Sequence, residues 1–585
     1  MLVNKRFTWL HVVILAALAL PYFINLGASS IWDGSEAFYA ETPREMLVSG
    51  DWLSPYFNFE PRVNKPPLTY WAVAVSYKIF GVNEFAVRLP GALAALGVML
   101  FSWGAAWSFY GPRAALFAAA VAATTPRVFI LERRLPIDIL LLFFLTGTLF
   151  FLLRASVKNN AVYWRCAFVF AALGFMTKGP IAAIIPAGAF LAWMLYAGKF
   201  RLFPVIRLFE GAAIFLCITL PWYVLSYHAR GWEYIAPFFL RDNLGRFASE
   251  SFGPSRGFFY YIPVWFSDFF PWSFIGPAAL YSEIRSFGRT FRERLSDVSF
   301  GLPFFWCALI FLLFSFSKNK QEYYIAPMYP AAAILIAGLL NKLDKLVKLD
   351  KPDQPDVQHA ASGGFRLWRW IYGFLAFPMF LLAFVLPYIL DILMPSINAA
   401  MRLGPSLILI AGVTLTLRSI VRKKFHGTFA SLVFSLWIIF FSGALIYVPV
   451  LEDFRPIKRF CSIIENMTRA DAYENKEIEI GYFGAYSSSP SMTFYLKRRI
   501  FEEEDRLSML QRFQSDHRVF CILDSRDYDW FTKQINKINK DTKLYVLDRH
   551  ERFSIRFGQL FDDEKRAGHE LFLVSNRPTD KSSLQ

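Results

Sequence analysis

The sequence predicts a polytopic α-helical membrane protein that carries a C-terminal soluble α/β domain. Three observations predict it. The 585-residue chain is 55% hydrophobic and 18% aromatic, with a mean hydropathy of +0.35, which is too apolar for a water-soluble fold. Apolar runs of roughly 17–25 residues, the length that crosses a bilayer as a helix, recur about thirteen times before residue 450. Beyond Leu451-Glu452-Asp453 they stop, and short strand-like and helical segments take over.

Taken in order, the runs lie near 8–26, 88–108, 113–131, 136–154, 162–178, 180–197, 208–227, 257–281, 300–316, 322–341, 370–391, 401–417 and 429–449. The first follows Lys5-Arg6 and is not followed by a small-residue cleavage site, so it reads as an uncleaved signal anchor with the N-terminus inside. Alternation from that start collects short basic loops on the inner side: Lys199/Arg201/Arg207, Arg285/Arg289/Arg292/Arg294, Lys342/Lys345/Lys348/Lys351 and Arg418/Arg422/Lys423/Lys424. This is the positive-inside bias. The outer side then receives the loops 27–87 and 228–256, the turn Arg133 to Asp138, Thr177-Lys178-Gly179, the segment Ser317 to Tyr324 and everything after residue 450. Residues 342–367, with Lys-Leu-Asp-Lys repeats and Gly363-Gly364, read as a flexible inner linker.

Two domains follow, a membrane domain over 1–450 and an outer α/β domain over 451–585. In the second, Glu477 to Phe483, Val519 to Leu523, Lys543 to Leu547 and Leu571 to Val574 alternate with helical stretches at Asp505 to Phe513 and Tyr528 to Ile538. That order predicts a sheet of about four strands.

The formal charge of +16 does not point to nucleic acid, because the basic residues are spread over many membrane-flanking loops rather than gathered on one face. Outer-side cations instead suit anionic membrane lipids or a phosphate. Cys166, Cys217 and Cys307 sit in apolar runs as packing residues, while Cys461 and Cys521 share the outer domain and are candidates for a disulfide. No CxxC, HExxH or Walker pattern is present.

Chemistry concentrates in the first outer loop, where acids, bases and aromatics crowd together: Trp32-Asp33-Gly34-Ser35-Glu36, Tyr39, Glu41, Arg44-Glu45 and Asn64-Lys65-Pro66-Pro67. Charges at a membrane surface must be solvated, paired or bound to something. Displacement at an anomeric carbon needs a carboxylate to take a proton and cations to stabilise a departing phosphate. Asp33, Glu36, Glu41 and Asp138, with Arg44, Lys65, Lys178 and Arg246, supply both kinds of group.

The residues Glu36-Ala-Phe-Tyr39-Ala-Glu41-Thr-Pro-Arg44-Glu45-Met46, Gly50-Asp51-Trp52 and Lys65-Pro66-Pro67-Leu68-Thr69-Tyr70-Trp71 resemble the first outer loop of the bacterial aminoarabinose transferases. Those enzymes belong with the protein O-mannosyltransferase-like GT-C glycosyltransferases. Arg88-Leu89-Pro90, the Asp138 turn, Gly174 to Pro180, Phe258 to Tyr261 with Pro271-Trp272, and Ser317 to Pro330 extend the resemblance over most of residues 30–340.

The resemblance implies a GT-C fold and an enzyme of the bacterial inner membrane, with its active site and C-terminal domain on the periplasmic side. Such an enzyme moves a sugar from a polyprenyl (undecaprenyl) phosphate carrier to lipid A or lipopolysaccharide, another glycan or a protein. Two departures stand out. Ser35-Glu36 replaces the subgroup's Asp-Glu pair, so the base role passes to Asp33, Glu36 or Asp138. Asn64 replaces a Glu before Lys-Pro-Pro, and Gly253-Pro254-Ser255-Arg256 stands where the subgroup has a His. Both of these latter changes remove metal ligands, so no cofactor is assigned and a divalent metal lacks its expected donors.

Each candidate also has a plainer reading. Lys65 and Lys178 sit where lysines snorkel to the interface, and Asp138 stands where an acid caps a helix. Arg44 and Glu45 suit local pairing, Arg246 a lipid headgroup, and Tyr39 and Tyr324 the aromatic belt. The expected catalytic residues are Glu36, Asp138 and Asp33, and the expected substrate-binding residues are Lys65, Tyr39, Lys178, Arg246, Tyr324 and Arg44, meeting in one outer cavity. A transporter or flippase of lipid-linked sugars is the rival reading. It would favour ionisable residues near span centres, whereas here they gather at one face.

Overall fold

A computed structural model describes residues 8–578 apart from 63, 135, 159, 201–204, 246–255, 285–289, 349–354, 395–396, 472–476, 486, 539–542 and 552–569. The N-terminal half opens with the helices α1 (Trp9–Phe23), α2 (Ser35–Ser49), α3 (Leu68–Phe80), α4 (Glu84–Tyr110), α5 (Pro112–Ala123), α6 (Pro126–Arg134), α7 (Pro136–Lys158), α8 (Ala161–Lys178), α9 (Ile181–Ala197), α10 (Val205–Arg230) and α11 (Trp232–Phe239). A two-stranded hairpin, β1 (Tyr56–Phe57) and β2 (Glu60–Pro61), sits between α2 and α3.

Among the described residues, eight helices are long and apolar enough to cross a membrane, or nine if α5 and α6, bent by 55°, count as one span. Thirteen spans are not reached. Helices α1 and α9 are shorter apolar helices, and α8 carries Arg165 and Lys178. The run at 257–281 is broken into Tyr261–Asp268, Trp272–Phe274 and Ile275–Ile284, since Pro271 has no N–H with which to continue a helix. Helix α7 is the central pillar: 83% of its apolar window is buried inside the protein, against 17% for α10. It packs between α4 and α8.

The expected linker at 342–367 is largely helical, as the ends of the helices Tyr329–Lys348 and Pro355–Leu393. The Lys-Leu-Asp-Lys pattern places Leu339, Leu340 and Leu343 on one buried face, and such an apolar stripe stabilises a helix despite a polar composition. Asp344 is fixed by His426, at 3.0 Å, and by Arg113.

The C-terminal domain is a mixed sheet of five strands, β3 (Ile478–Phe483), β4 (Phe501–Glu503), β5 (Arg518–Asp524), β6 (Tyr545–Glu551) and β7 (Glu570–Ser575), in the order β4-β3-β5-β7-β6. The fifth strand, β4, is the addition to the sequence reading. Alternation along the strands separates two cores. Ile480, Tyr482, Phe520 and Ile522 meet the helix Ile457–Asp471 on one face. Val519, Cys521 and Leu523 meet Met509, Phe513 and Phe531 on the other. The candidate disulfide is not formed: Cys461 belongs to the first core and Cys521 to the second, and both are free thiols.

This domain is clamped to the first outer loop. Phe494 is buried with Ala37, Ala40, Val73 and Val87 of the membrane domain. The Tyr495 hydroxyl accepts from the Ile31 N–H at 2.7 Å, Glu452 accepts from the Ser30 N–H at 2.6 Å, and Asn58 pairs with both backbone groups of Ile500 at 2.8 and 2.9 Å.

Candidate active site

The short connection between α7 and α8 makes them an antiparallel pair, so the first turn of α7 and the last turn of α8 lie at the same end of the bundle. That places Asp138 beside Lys178, and their side chains form an ion pair. Gly179 ends α8 at φ +89°, and a Cβ there would stand 2.4 Å from the Phe238 ring. Only glycine meets both demands. Phe238 in turn lies 5.8 Å from the Lys65 ammonium, across its ring face.

These elements enclose a small cavity of about 130 Å³ lined by Lys65, Asp138, Lys178, Asp242, Tyr323 and Tyr324, with Leu141, Ile181 and Ile185 as an apolar wall. Lys65 faces Asp242 at 3.5 Å. The Lys178 ammonium lies 5.3 Å from the centroids of both Tyr323 and Tyr324. Two lysines, each balanced by a carboxylate, face one space walled on its other side by apolar side chains. An anionic group with an apolar tail matches that lining, since a phosphate can take a carboxylate's place beside a lysine.

The other expected residues lie elsewhere. Glu36 is not in this cavity. It is fully buried against Arg88, which reaches its two carboxylate oxygens at 2.7 and 3.2 Å and also donates to the carbonyls of Leu26, Ser29 and Ser30 at 2.6 to 2.9 Å. The Trp32 N–H donates to Glu36 as well, at 2.7 Å. Glu36 therefore holds the start of α2 to α4, and the expectation of a single cavity holding Glu36, Lys65 and Asp138 is corrected: both Glu36 oxygens are engaged by Arg88 and the Trp32 N–H, and Glu36 does not line the cavity.

Asp33 accepts from the N–H and hydroxyl of Ser491 in the C-terminal domain and lines a separate cavity with Arg127, Arg134 and Arg455. Arg44 forms a two-pronged pair with Glu41 at 2.6 and 2.7 Å inside α2 and does not line the cavity. Glu45 accepts from the Phe59 N–H, and burial, then the nearby Glu41 charge, pushes its carboxyl up to about 7. Tyr39 is stacked on Tyr70 at 5.3 Å and packs with Ile137, one residue from Asp138. Ser35 is exposed at the start of α2. Arg246 lies outside the described residues. Asp242 and Tyr323 were missed in the sequence; their signal, an acid and an aromatic in outer segments, is too common to single them out.

Among the described residues no group of three or more His, Cys, Asp or Glu side chains converges, and Asn64 lies beside Lys65 in the loop.

The profile of the dolichyl-phosphate-mannose-protein mannosyltransferases matches residues 64–225. The chain is 32% identical over 344 residues to the undecaprenyl phosphate-alpha-4-amino-4-deoxy-L-arabinose arabinosyl transferase of Edwardsiella ictaluri, covering 57% of this chain and 60% of that one. It is 30% identical over 313 residues to an uncharacterized protein of Aquifex aeolicus, covering 53% of this chain and 68% of that one. Against the arabinosyl transferase it thus spans under two thirds of the relative's length. The crystal structure of ArnT from Cupriavidus metallidurans bound to undecaprenyl phosphate superposes with a TM-score of 0.72 at 19% identity, over 98% of this chain and 99% of that one. The two share a fold. The chain belongs to the GT-C glycosyltransferase family that includes the protein mannosyltransferases and the aminoarabinose transferases.

Proposed function

We propose that this GT-C family member transfers a sugar from a polyprenyl phosphate, undecaprenyl phosphate, to an acceptor on the outer face of the bacterial inner membrane. The observation that carries the reading is the cavity at the α7–α8 end, where Lys65 and Lys178 are each balanced by a carboxylate beside an apolar wall. The named activity of the relatives over residues that include this region supports it.

In this reading the carrier phosphate exchanges for Asp242 at Lys65 and for Asp138 at Lys178. Asp138, released from Lys178, accepts the proton of the acceptor hydroxyl. The acceptor oxygen forms a bond to the anomeric carbon as that carbon's bond to the phosphate oxygen breaks, and the lysines stabilise the negative charge that collects on the departing phosphate. Tyr324 and Tyr323 border the sugar, and Tyr39 supports the wall from behind. Asp138 carries the base role in place of Glu36 and Asp33, whose carboxylates are engaged elsewhere.

The test is lipid mass spectrometry on cells lacking the protein. A sugar-bearing polyprenyl phosphate should build up, and the wild-type chain but not Lys65→Ala should clear it. An unchanged carrier pool, or full clearance by Lys65→Ala, would overturn the assignment.

A further inference from the structure

On the far side of the loop that carries Lys65 lies a larger cleft, of about 880 Å³. One wall is the β1–β2 hairpin with Phe38 and Arg62, and the other is formed by strands β3 and β4 of the C-terminal domain. We propose that this cleft binds the acceptor and that the acceptor is a hydroxyl-rich glycan chain. The proposal rests on the glycosyl-transfer reading above and names the second substrate of that reaction.

Position is the first argument. Asn64 lines the cleft while its neighbour Lys65 lines the catalytic cavity. Phe38 lines the cleft while its neighbour Tyr39 packs beside Ile137. Arg62 spans the partition, lying 3.6 Å from the Phe38 ring centroid and hydrogen bonding to Tyr70, which stacks on Tyr39. The side chains of Arg62, Tyr70 and Tyr39 thus stand between the two spaces. A displacement at the anomeric carbon requires the attacking hydroxyl to arrive from a side the departing phosphate does not occupy, and a cleft beyond this partition meets that requirement.

The lining is the second argument. Its ionised groups are three carboxylates, Glu60, Glu479 and Glu502, and three guanidiniums, Arg62, Arg499 and Arg512, which leave no net charge. Arg499 pairs with Glu60 and Arg512 with Glu479. Phe57 and Phe501 also line it, with the guanidinium of Arg62 5.4 Å from the Phe57 ring centroid and that of Arg512 4.7 Å from the Phe501 centroid. Paired donors and acceptors beside aromatic side chains suit a sugar, whose hydroxyls both donate and accept.

A lipid tail would require an apolar channel, and none of the lining residues belongs to a membrane-crossing helix. A peptide would most readily add as a strand to a sheet edge. Here the edge strand β4 is only three residues long, too short to hold one.

The experiment is hydrogen exchange on the full chain in detergent, with three probes added separately: a delipidated lipopolysaccharide core oligosaccharide, a tryptic casein digest, and undecaprenyl phosphate. The oligosaccharide should slow exchange at least threefold in 56–62, 478–482 and 499–503, and the digest should not. Protection by the digest alone, or by neither polar probe, overturns the proposal. Undecaprenyl phosphate should instead protect the segments around Lys65 and Asp138. If it fails while the oligosaccharide protects the cleft, the donor assignment falls and the glycan cleft stands. Glu502→Ala, at an exposed rim position, should raise the oligosaccharide concentration needed for protection about tenfold and leave undecaprenyl phosphate protection unchanged. Equal loss of both effects would mean the variant acts only through folding, and would count against the cleft.

Discussion

Replacing Glu36 by Gln should destabilise the protein rather than switch off its chemistry. Arg88 and Glu36 are both buried, with side chains 3% and 0% exposed. Among the described residues, the Glu36 carboxylate is the negative charge to which Arg88 hydrogen bonds, and its other hydrogen-bond partners are the carbonyls of Leu26, Ser29 and Ser30. Removing one partner of a buried pair strands the other charge and costs about 3–5 kcal/mol. Gln retains one oxygen for the Arg88 guanidinium or the Trp32 N–H, so Glu36→Gln belongs near the lower end, about 3 kcal/mol, and Glu36→Ala near the upper, about 5 kcal/mol. The assay is thermal unfolding of the purified chain in detergent alongside transfer per folded molecule. Both variants should unfold at lower temperature, Ala more than Gln, while the fraction that remains folded keeps most of its turnover. A Glu36→Gln protein with wild-type stability and no transfer would refute this reasoning and return Glu36 to the chemistry.

Lys65→Ala should lower turnover by about 10²–10³-fold, the usual cost of losing one group that stabilises developing charge, with expression largely retained; Lys65→Arg should recover little, because a planar fork does not fit the seat of a point charge. Asp138→Asn should abolish transfer and Ser35→Ala should not, and the opposite pattern in a transfer assay would move the base to the start of α2. Because burial raises the Glu45 carboxyl to about 7, the folded state holds an extra proton between about pH 4.5 and 7, and stability falls as pH rises through that window. Melting temperatures from pH 5 to 8 should therefore drop more steeply for wild type than for Glu45→Gln, and parallel curves would contradict the assignment. All five cysteines should alkylate in denaturant without reductant, and a protected pair would contradict the two-core arrangement of the C-terminal sheet.

Much of the fold was legible in the sequence because a membrane span announces itself by length and apolarity, and the strands of the C-terminal domain by alternation. The errors arose where a local pattern admits two tertiary outcomes. Lys-Leu-Asp-Lys repeats suit a linker or an amphipathic helix, and packing of Leu339, Leu340 and Leu343 decided for helix. At the candidate site, Lys65, Asp138, Lys178 and Tyr324 could be grouped from their shared sidedness, and the structure places them around one cavity. Glu36 could not be separated from them, since its partner Arg88 lies 52 residues away and a sequence gives no sign of which acid will be consumed by a buried arginine. Asp242 was missed for the converse reason, as its partner Lys65 is far away in the chain.

The central claim, that the Lys65 cavity cleaves a sugar from a lipid phosphate, is tested most directly in proteoliposomes loaded with the lipid extract of cells lacking the protein. Release of free polyprenyl monophosphate and glycosylated acceptor are followed together by mass spectrometry. The account predicts release with the wild-type chain, loss of release with Lys65→Ala and with Asp138→Asn, and retained release per folded molecule with Glu36→Gln. Movement of intact lipid-linked sugar across the bilayer with no monophosphate released would contradict it and identify a transporter.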